Sequence, residues 1–223
     1  MLNPEMFVER IVNITLPPII TQDPTTHKDI TIPGLVKISS PGDGSCLFHS
    51  VLRAFNREYN ESPSEHRRAL VRRVRDGLSE ALTQINPLTK LTYYESMAHG
   101  HIASLGDTLA DYSIVGLQRA LRADISVGSE FMPLLAQLFE IDIYVIDMQH
   151  KDLYMFGVDD SEFHQDRRSI ILAYTQIKED GHYDVIGLNV SDTIYTLFDP
   201  QNFLIRALNA RAAQLKRRTH RGR

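Results

Sequence analysis

The stretch Pro41-Gly42-Asp43-Gly44-Ser45-Cys46-Leu47-Phe48-His49-Ser50 holds the only cysteine of the 223-residue chain. An apolar-periodic run follows the thiol, at Leu47, Val51, Leu52 and Phe55. A Gly-Asp-Gly-Ser loop running into such periodicity predicts a loop-to-helix junction, with Asp43 or Ser45 available to cap the first turn. Cys46 then sits in that turn, at the positive end of the helix dipole, where a thiolate is favoured over a thiol. The N–H groups of the same turn can hold an oxyanion, and glycine lets the backbone come close to a ligand. A lone cysteine is more often a small buried hydrophobe, so the assignment turns on a second site.

That second site is Asp180-Gly181-His182-Tyr183-Asp184-Val185-Ile186. Residues 169–174 form an apolar run of strand length, and 182–188 read as its antiparallel partner across the charged turn Lys178-Glu179-Asp180-Gly181. Strand alternation puts His182 and Asp184 on one face, where the carboxylate can orient the imidazole, and sends Tyr183 into the core. A base and its orienter, far along the chain from a single thiol, make the layout of a thiol hydrolase.

Asp43-Gly44-Ser45-Cys46-Leu47-Phe48, followed by His182-Tyr183-Asp184, resembles the two signatures of the ovarian-tumour (OTU) family, papain-like cysteine proteases that remove ubiquitin. Between them, Gly128-Ser129-Glu130, then Leu134-Leu135-Ala136 and residues 141–147, resemble the family's central helix and strand. Where members often carry Trp-Gly-Gly-Glu, this chain has Val127-Gly128-Ser129-Glu130 and no tryptophan at all. The resemblance implies an α+β, papain-like fold: a mixed, mostly antiparallel sheet packed between helices, with the catalytic cysteine at a helix N-terminus. It implies Cys46 as nucleophile, His182 as base and Asp184 as orienter, with Gly44, Ser45, Gly128 and Glu130 around the oxyanion and the substrate tail. It also places Asp43 near the oxyanion hole, within reach of His182, so two aspartates compete for the third catalytic position. The implied reaction is cysteine-dependent hydrolysis of the isopeptide bond after ubiquitin's terminal glycine, with ubiquitin or polyubiquitin chains as partners. The alternatives are an inactive ubiquitin-binding adaptor and a thiol protease acting on a ubiquitin-like modifier or a polyprotein. No cofactor is expected. Nor is a metal, because His99-Gly100-His101 lacks cysteine or acid partners at ligand spacing.

Hydrophobic content of 43% with 23% charged residues is that of a globular chain able to bury a core. The reading divides the chain into an N-terminal arm (1–35), a catalytic domain (36–190), a strand and helix extension (191–215) and a disordered basic tail (216–223). A single cysteine excludes internal disulfides and suits a reducing, cytoplasmic setting. No apolar stretch is long enough to predict membrane insertion, and the N-terminus lacks the blocks of a signal peptide. The net charge of −4 is unevenly spread. Arg206, Arg211, Lys216, Arg217, Arg218, Arg221 and Arg223 fall in the last eighteen residues with no acid among them, so the remaining body is distinctly acidic. Such a body suits a basic protein substrate, and the tail an acidic partner.

Asn3-Pro4-Glu5 predicts a short helix whose Met6, Phe7, Val8 and Ile11 pack on the core. Ser62-Pro63-Ser64-Glu65 reads as a capping box opening a helix to about Thr83. Its stripe of Leu70, Val71, Val74, Leu78 and Leu82 faces inward, and Arg67, Arg68, Arg72, Arg73 and Arg75 form a solvated face. Further helices are expected over 108–121 and 130–140, with strands over 141–146, 153–156, 170–174, 183–188 and 194–197. Asp199-Pro200 opens the last helix, which carries Leu204, Leu208 and Leu215 on one side.

Overall fold

A computed structural model describes residues 9–17, 32–87, 89–100, 111–123, 125–157, 167–177 and 180–221. The most apolar runs of the chain make the centre of its sheet. β3 (Asp142–Asp147) is buried along its whole length, and β5 (Ser169–Ile177) lies parallel to it in register Asp142↔Ser169 to Asp147↔Tyr174. A strand covered on both faces needs no polar alternation, which is why these segments read as continuous Ile, Leu and Val. β6 (Asp180–Val190) returns antiparallel to β5. β2 (Leu35–Ile38) and β1 (Ile11–Asn13) extend the sheet beyond β6, and β4 (Asp152–Phe156) closes the other side. The order is β1-β2-β6-β5-β3-β4, antiparallel except for β3–β5. β7 (Thr193–Tyr195) pairs with the end of β6, and β8 (Leu197–Phe198) with the start of β5.

Helices cover both faces. On one lie α1 (Cys46–Phe55), α2 (Arg57–Glu61), α3 (Ser64–Ala81), α4 (Tyr93–Gly100) and α5 (Ile114–Arg122), then a 3-10 turn (Ser129–Phe131) that leads into α6 (Met132–Leu138). Leu47, Phe48, Val51 and Leu52 of α1 pack there with Tyr183 and Val185 of β6. Each such buried side chain stabilises the fold by about 1.5–3 kcal/mol. On the other face, Leu204, Ile205 and Leu208 of α7 (Phe203–Arg221) meet Ile171, Ala173 and Ile186. Tyr144 of β3 also donates its hydroxyl to Asn209 on α7. Successive residues of β6 therefore face different helical layers, as a two-residue period requires. No described helix is long and apolar enough to cross a membrane.

Several expectations are revised. Ile11 belongs to edge strand β1, paired with Ile38 and 49% exposed, and not to a helix packed on the core. Leu16, just after β1, is the residue of this segment that enters the core. Neither Ser62 nor any other side chain caps α3, which opens directly after Pro63. Pro200 lies in a turn, and α7 begins only at Phe203, with Asn202 Oδ1 accepting the Leu204 N–H at 2.9 Å. The backbone of α7 stays helical through Arg221, where disorder was expected from Lys216. Lysine and arginine are good helix formers, and they favour the negative end of the helix dipole. Phe7, His101 and the Lys178-Glu179 turn lie outside the described residues.

Candidate active site

Cys46 is the first residue of α1, as the sequence predicts, but its loop is built differently from the expected cap. Ser45 is the N-cap, yet no side chain caps the helix: Ser45 Oγ accepts from Arg75 Nη1 at 2.8 Å instead. Asp43 Oδ1 accepts the Ser45 N–H at 3.0 Å, which folds the loop back one residue ahead of the helix. Gly44 has φ +81, a left-handed conformation that residues with a Cβ rarely adopt, so the loop needs glycine there. The first-turn N–H groups of α1, Cys46 included, thus point out of the helix end without a side-chain acceptor.

Two buried side chains missed by the sequence reading hold this loop. Arg75, assigned to a solvated face, is only 3% exposed. It donates to Ser45 Oγ and, at 3.4 Å, to the Gly44 carbonyl, and it reaches the carbonyls of Ala120, Leu121, Ala123 and Ile125. Its guanidinium also lies 5.0 Å from the centre of the Phe48 ring. A signal was available: Arg75 stands four residues after Val71 and three before Leu78, inside the apolar stripe. His49, also buried, shares Nε2 with Asp43 Oδ2 at 3.1 Å and Nδ1 with the Tyr59 hydroxyl at 2.7 Å. Asp43 is therefore committed to His49 and the Ser45 N–H. Burial works against its ionisation, but His49 and the Ser45 N–H outweigh that and lower its pKa. The structure gives Asp43 a loop-holding place and brings Asp184 to His182.

His182 and Asp184 stand two residues apart on β6, and His182 Nε2 donates to Asp184 Oδ1 at 3.0 Å. The thiol of Cys46 neighbours the same imidazole, and its Sγ donates to the Gly181 carbonyl at 3.9 Å. Asp184, and after it Cys46, favour the imidazolium strongly enough to raise His182 to about 10. Asp184 is buried, which opposes its ionisation. Hydrogen bonds from His182, Lys37 and the Ser40 N–H overcome that penalty and lower its pKa. Ser50, one turn after Cys46, donates to the Tyr183 carbonyl at 2.8 Å, and its oxygen lies 2.7 Å from Ser40 Oγ. This serine fastens α1 to β6 between His182 and Asp184. Gly181 is required beside the base, because a Cβ there would meet the Tyr174 ring at 2.5 Å.

Beside Gly181 opens a cleft of about 520 Å³, walled by Gly128 and Glu130 on one side and by Asp147, Tyr174 and Tyr183 on the sheet. Glu130 is 1% exposed, and its Oε1 accepts the Gly128 N–H at 2.7 Å, so it braces the bend of the wall. Gly44 and Ser45 lie at the thiol, and Gly128 and Glu130 line this cleft.

A helix-borne thiol, an imidazole and a buried carboxylate in line define a papain-like cysteine peptidase centre. The family model described as OTU-like cysteine protease matches residues 41–183, and the chain belongs to that family. The match takes in Cys46 and His182 and stops one residue short of Asp184, whose place rests on the geometry above. No curated protein sequence matches the chain. Among solved structures, an OTU domain in complex with ubiquitin is similar with a TM-score of 0.48 at 17% identity, covering 81% of this chain and 85% of that one. The Hazara virus OTU bound to ubiquitin gives 0.40 at 20% identity, covering 70% and 83%. An OTU deubiquitinase from Wolbachia pipientis wMel gives 0.41 at 12% identity, covering 70% and 90%.

Proposed function

We propose that the protein is a cysteine-dependent deubiquitinase that hydrolyses the isopeptide bond after the C-terminal glycine of ubiquitin. The observation that carries this reading is the line Asp184–His182–Cys46, with the thiol on the first turn of α1. The Cys46 thiolate attacks the glycine carbonyl and forms a C–S bond. The resulting oxyanion is held by N–H groups of the α1 first turn and the Gly44 loop. Collapse breaks the C–N bond as the His182 imidazolium gives its proton to the leaving lysine amine. The neutral imidazole then takes a proton from water, the water oxygen displaces sulfur, and ubiquitin leaves as a free carboxylate. Asp184 fixes the His182 tautomer throughout and stabilises its charged form.

The cleft beside Gly181 suits the end of such a substrate. Gly128 and Gly181 let an extended, glycine-ending tail approach the backbone closely. The acidic body of the chain matches a basic protein surface. The protein thereby acts in ubiquitin removal, in a reducing compartment such as the cytoplasm that keeps Cys46 free.

A ubiquitin probe bearing a C-terminal electrophile tests the reading. Covalent labelling of wild type but not of Cys46→Ala, with diubiquitin cleaved only by wild type, is the expected result. Tight but non-covalent binding points instead to an adaptor. Labelling only by probes built on ubiquitin-like modifiers moves the substrate elsewhere.

A further inference from the structure

Lys37 touches the catalytic line and has no part in the reaction as derived. It lies on β2 opposite Ile186, two residues from Asp184 on the same face of the neighbouring strand. A long side chain reaches such a diagonal neighbour, and Lys37 Nζ lies 2.8 Å from Asp184 Oδ2. The other oxygen, Oδ1, accepts from His182 Nε2 and, at 2.9 Å, from the Ser40 N–H. Both carboxylate oxygens are therefore held, one by the base and one by an ammonium. The Asp184 side chain is only 4% exposed, so this pair is felt at lower dielectric than a surface one.

We propose that Lys37 is a positioning residue of the active site: its ammonium fixes the Asp184 carboxylate and, through it, sets the charge balance of the Asp184–His182–Cys46 line. The inference rests on the assignment of these three residues and is independent of ubiquitin being the substrate. With Lys37 present, two negative groups and two positive ones alternate along the line when thiolate and imidazolium coexist. Without it the line carries an excess negative charge. Each step in which the line gives up a proton is eased by a fixed positive charge nearby. Both macroscopic titrations of the thiol–imidazole pair therefore move to higher pH when the ammonium is removed. The groups facing this line are His182 from β6, Lys37 from β2, the Ser40 N–H from the turn after β2, and Cys46 from α1, with the phenols of Tyr174 on β5 and Tyr183 on β6 near the thiol. Paired directly with Asp184 and His182 on β5 are Ala173 and Thr175, which do not titrate.

The test needs no substrate. Alkylation of Cys46 by iodoacetamide, followed against pH, reports the acid limb directly in wild type, Lys37→Met, Lys37→Gln and Lys37→Arg. The limb should move up by roughly half a pH unit in the Met and Gln variants, while Arg follows wild type. Gln keeps a hydrogen-bond donor beside Asp184, so it separates charge from geometry and decides the matter if Met fails to fold. On diubiquitin, the two neutral variants should lose kcat with KM unchanged. Acid limbs of the Gln variant and wild type that coincide would overturn the proposal, whatever the change in thermal stability. If even wild type leaves diubiquitin intact, the deubiquitinase reading falls, and the alkylation profiles still decide the role of Lys37.

Discussion

Cys46 stands at the head of a helix whose preceding loop is gripped by Arg75, from a distant part of the chain, and by His49 of the same helix. His182 and Asp184 stand on a strand held along its length by backbone ladders to β5 and β2. The strand side is governed by a local rule, since alternation alone puts the two residues on one face. The loop side depends on Arg75, thirty residues on and brought in by tertiary packing, and on His49, one turn into the same helix. His182 and Asp184 are thus built into regular structure, whereas the loop before Cys46 is held in place by two buried polar side chains.

If this contrast is right, the two aspartates should fail differently. Asp184→Ala removes the partner of His182 and should lower kcat/KM on the order of a hundredfold or more. Asp184→Asn retains a hydrogen-bond acceptor for His182 and should keep part of the activity. Asp43→Ala frees the Ser45 N–H and His49, so its cost should show first in unfolding and only secondarily in rate. Steady-state kinetics with Asp43→Ala crippled and Asp184→Ala near wild type would reverse the assignment.

Arg75 sharpens the same contrast from the loop side. Arg75→Met keeps much of the stem but leaves several buried carbonyls without their donor, each costing about 1–3 kcal/mol if nothing replaces it. A total loss of about 3 kcal/mol or more in urea unfolding is expected. A loss below about 1 kcal/mol would mean that the loop is held by something else.

The readable and unreadable parts of the sequence divide along this line. β6 with its His-Tyr-Asp alternation and the buried β3 and β5 are set by patterns within ten residues and were legible; of the glycine loop before Cys46, its place ahead of a helix was legible and its cap was not. Arg75 shares its helix with Arg72 and Arg73, and composition cannot tell a buried arginine from its exposed neighbours. Only its place inside the stripe between Val71 and Leu78 marks it. His49 lies one turn beyond Cys46 on α1, and nothing local says that Asp43 will fold back to meet it. The start of α7 was set two to three residues early, because Asp199-Pro200 resembles a helix opening until the Asn202 contact is seen.

The pH dependence follows from the strand side. His182 is raised to about 10 by Asp184 and then Cys46, above its ordinary value of 6.5. A group with a raised folded pKa contributes its stability fully below the unfolded value, and loses it as pH climbs through the folded one. The wild-type thermal midpoint should therefore fall between pH 6.5 and about 10 more steeply than that of His182→Ala. Activity should persist to an alkaline limb near pH 10, where the imidazolium gives up its proton. Equal slopes in the two proteins would show that the line contributes nothing to folding.

The smallest effect is expected at the end of α7, which belongs to neither support. Among the described side chains, the apolar residues that pack α7 on the sheet are Leu204, Ile205, Leu208 and Ala212, all upstream of Lys216. Residues 216–223 add positive charge and helix length but no apolar side chain. Deleting them removes one to two turns of a helix whose packed part remains, so the thermal midpoint and cleavage of a minimal ubiquitin substrate should hardly move. A basic segment gains little from a basic substrate surface, so the tail should not aid ubiquitin binding. If it serves an acidic partner such as nucleic acid, the full chain should bind that partner with a steep salt dependence, and the truncated chain should not. A large fall in diubiquitin cleavage on truncation, at moderate salt, would place this helix end at the substrate.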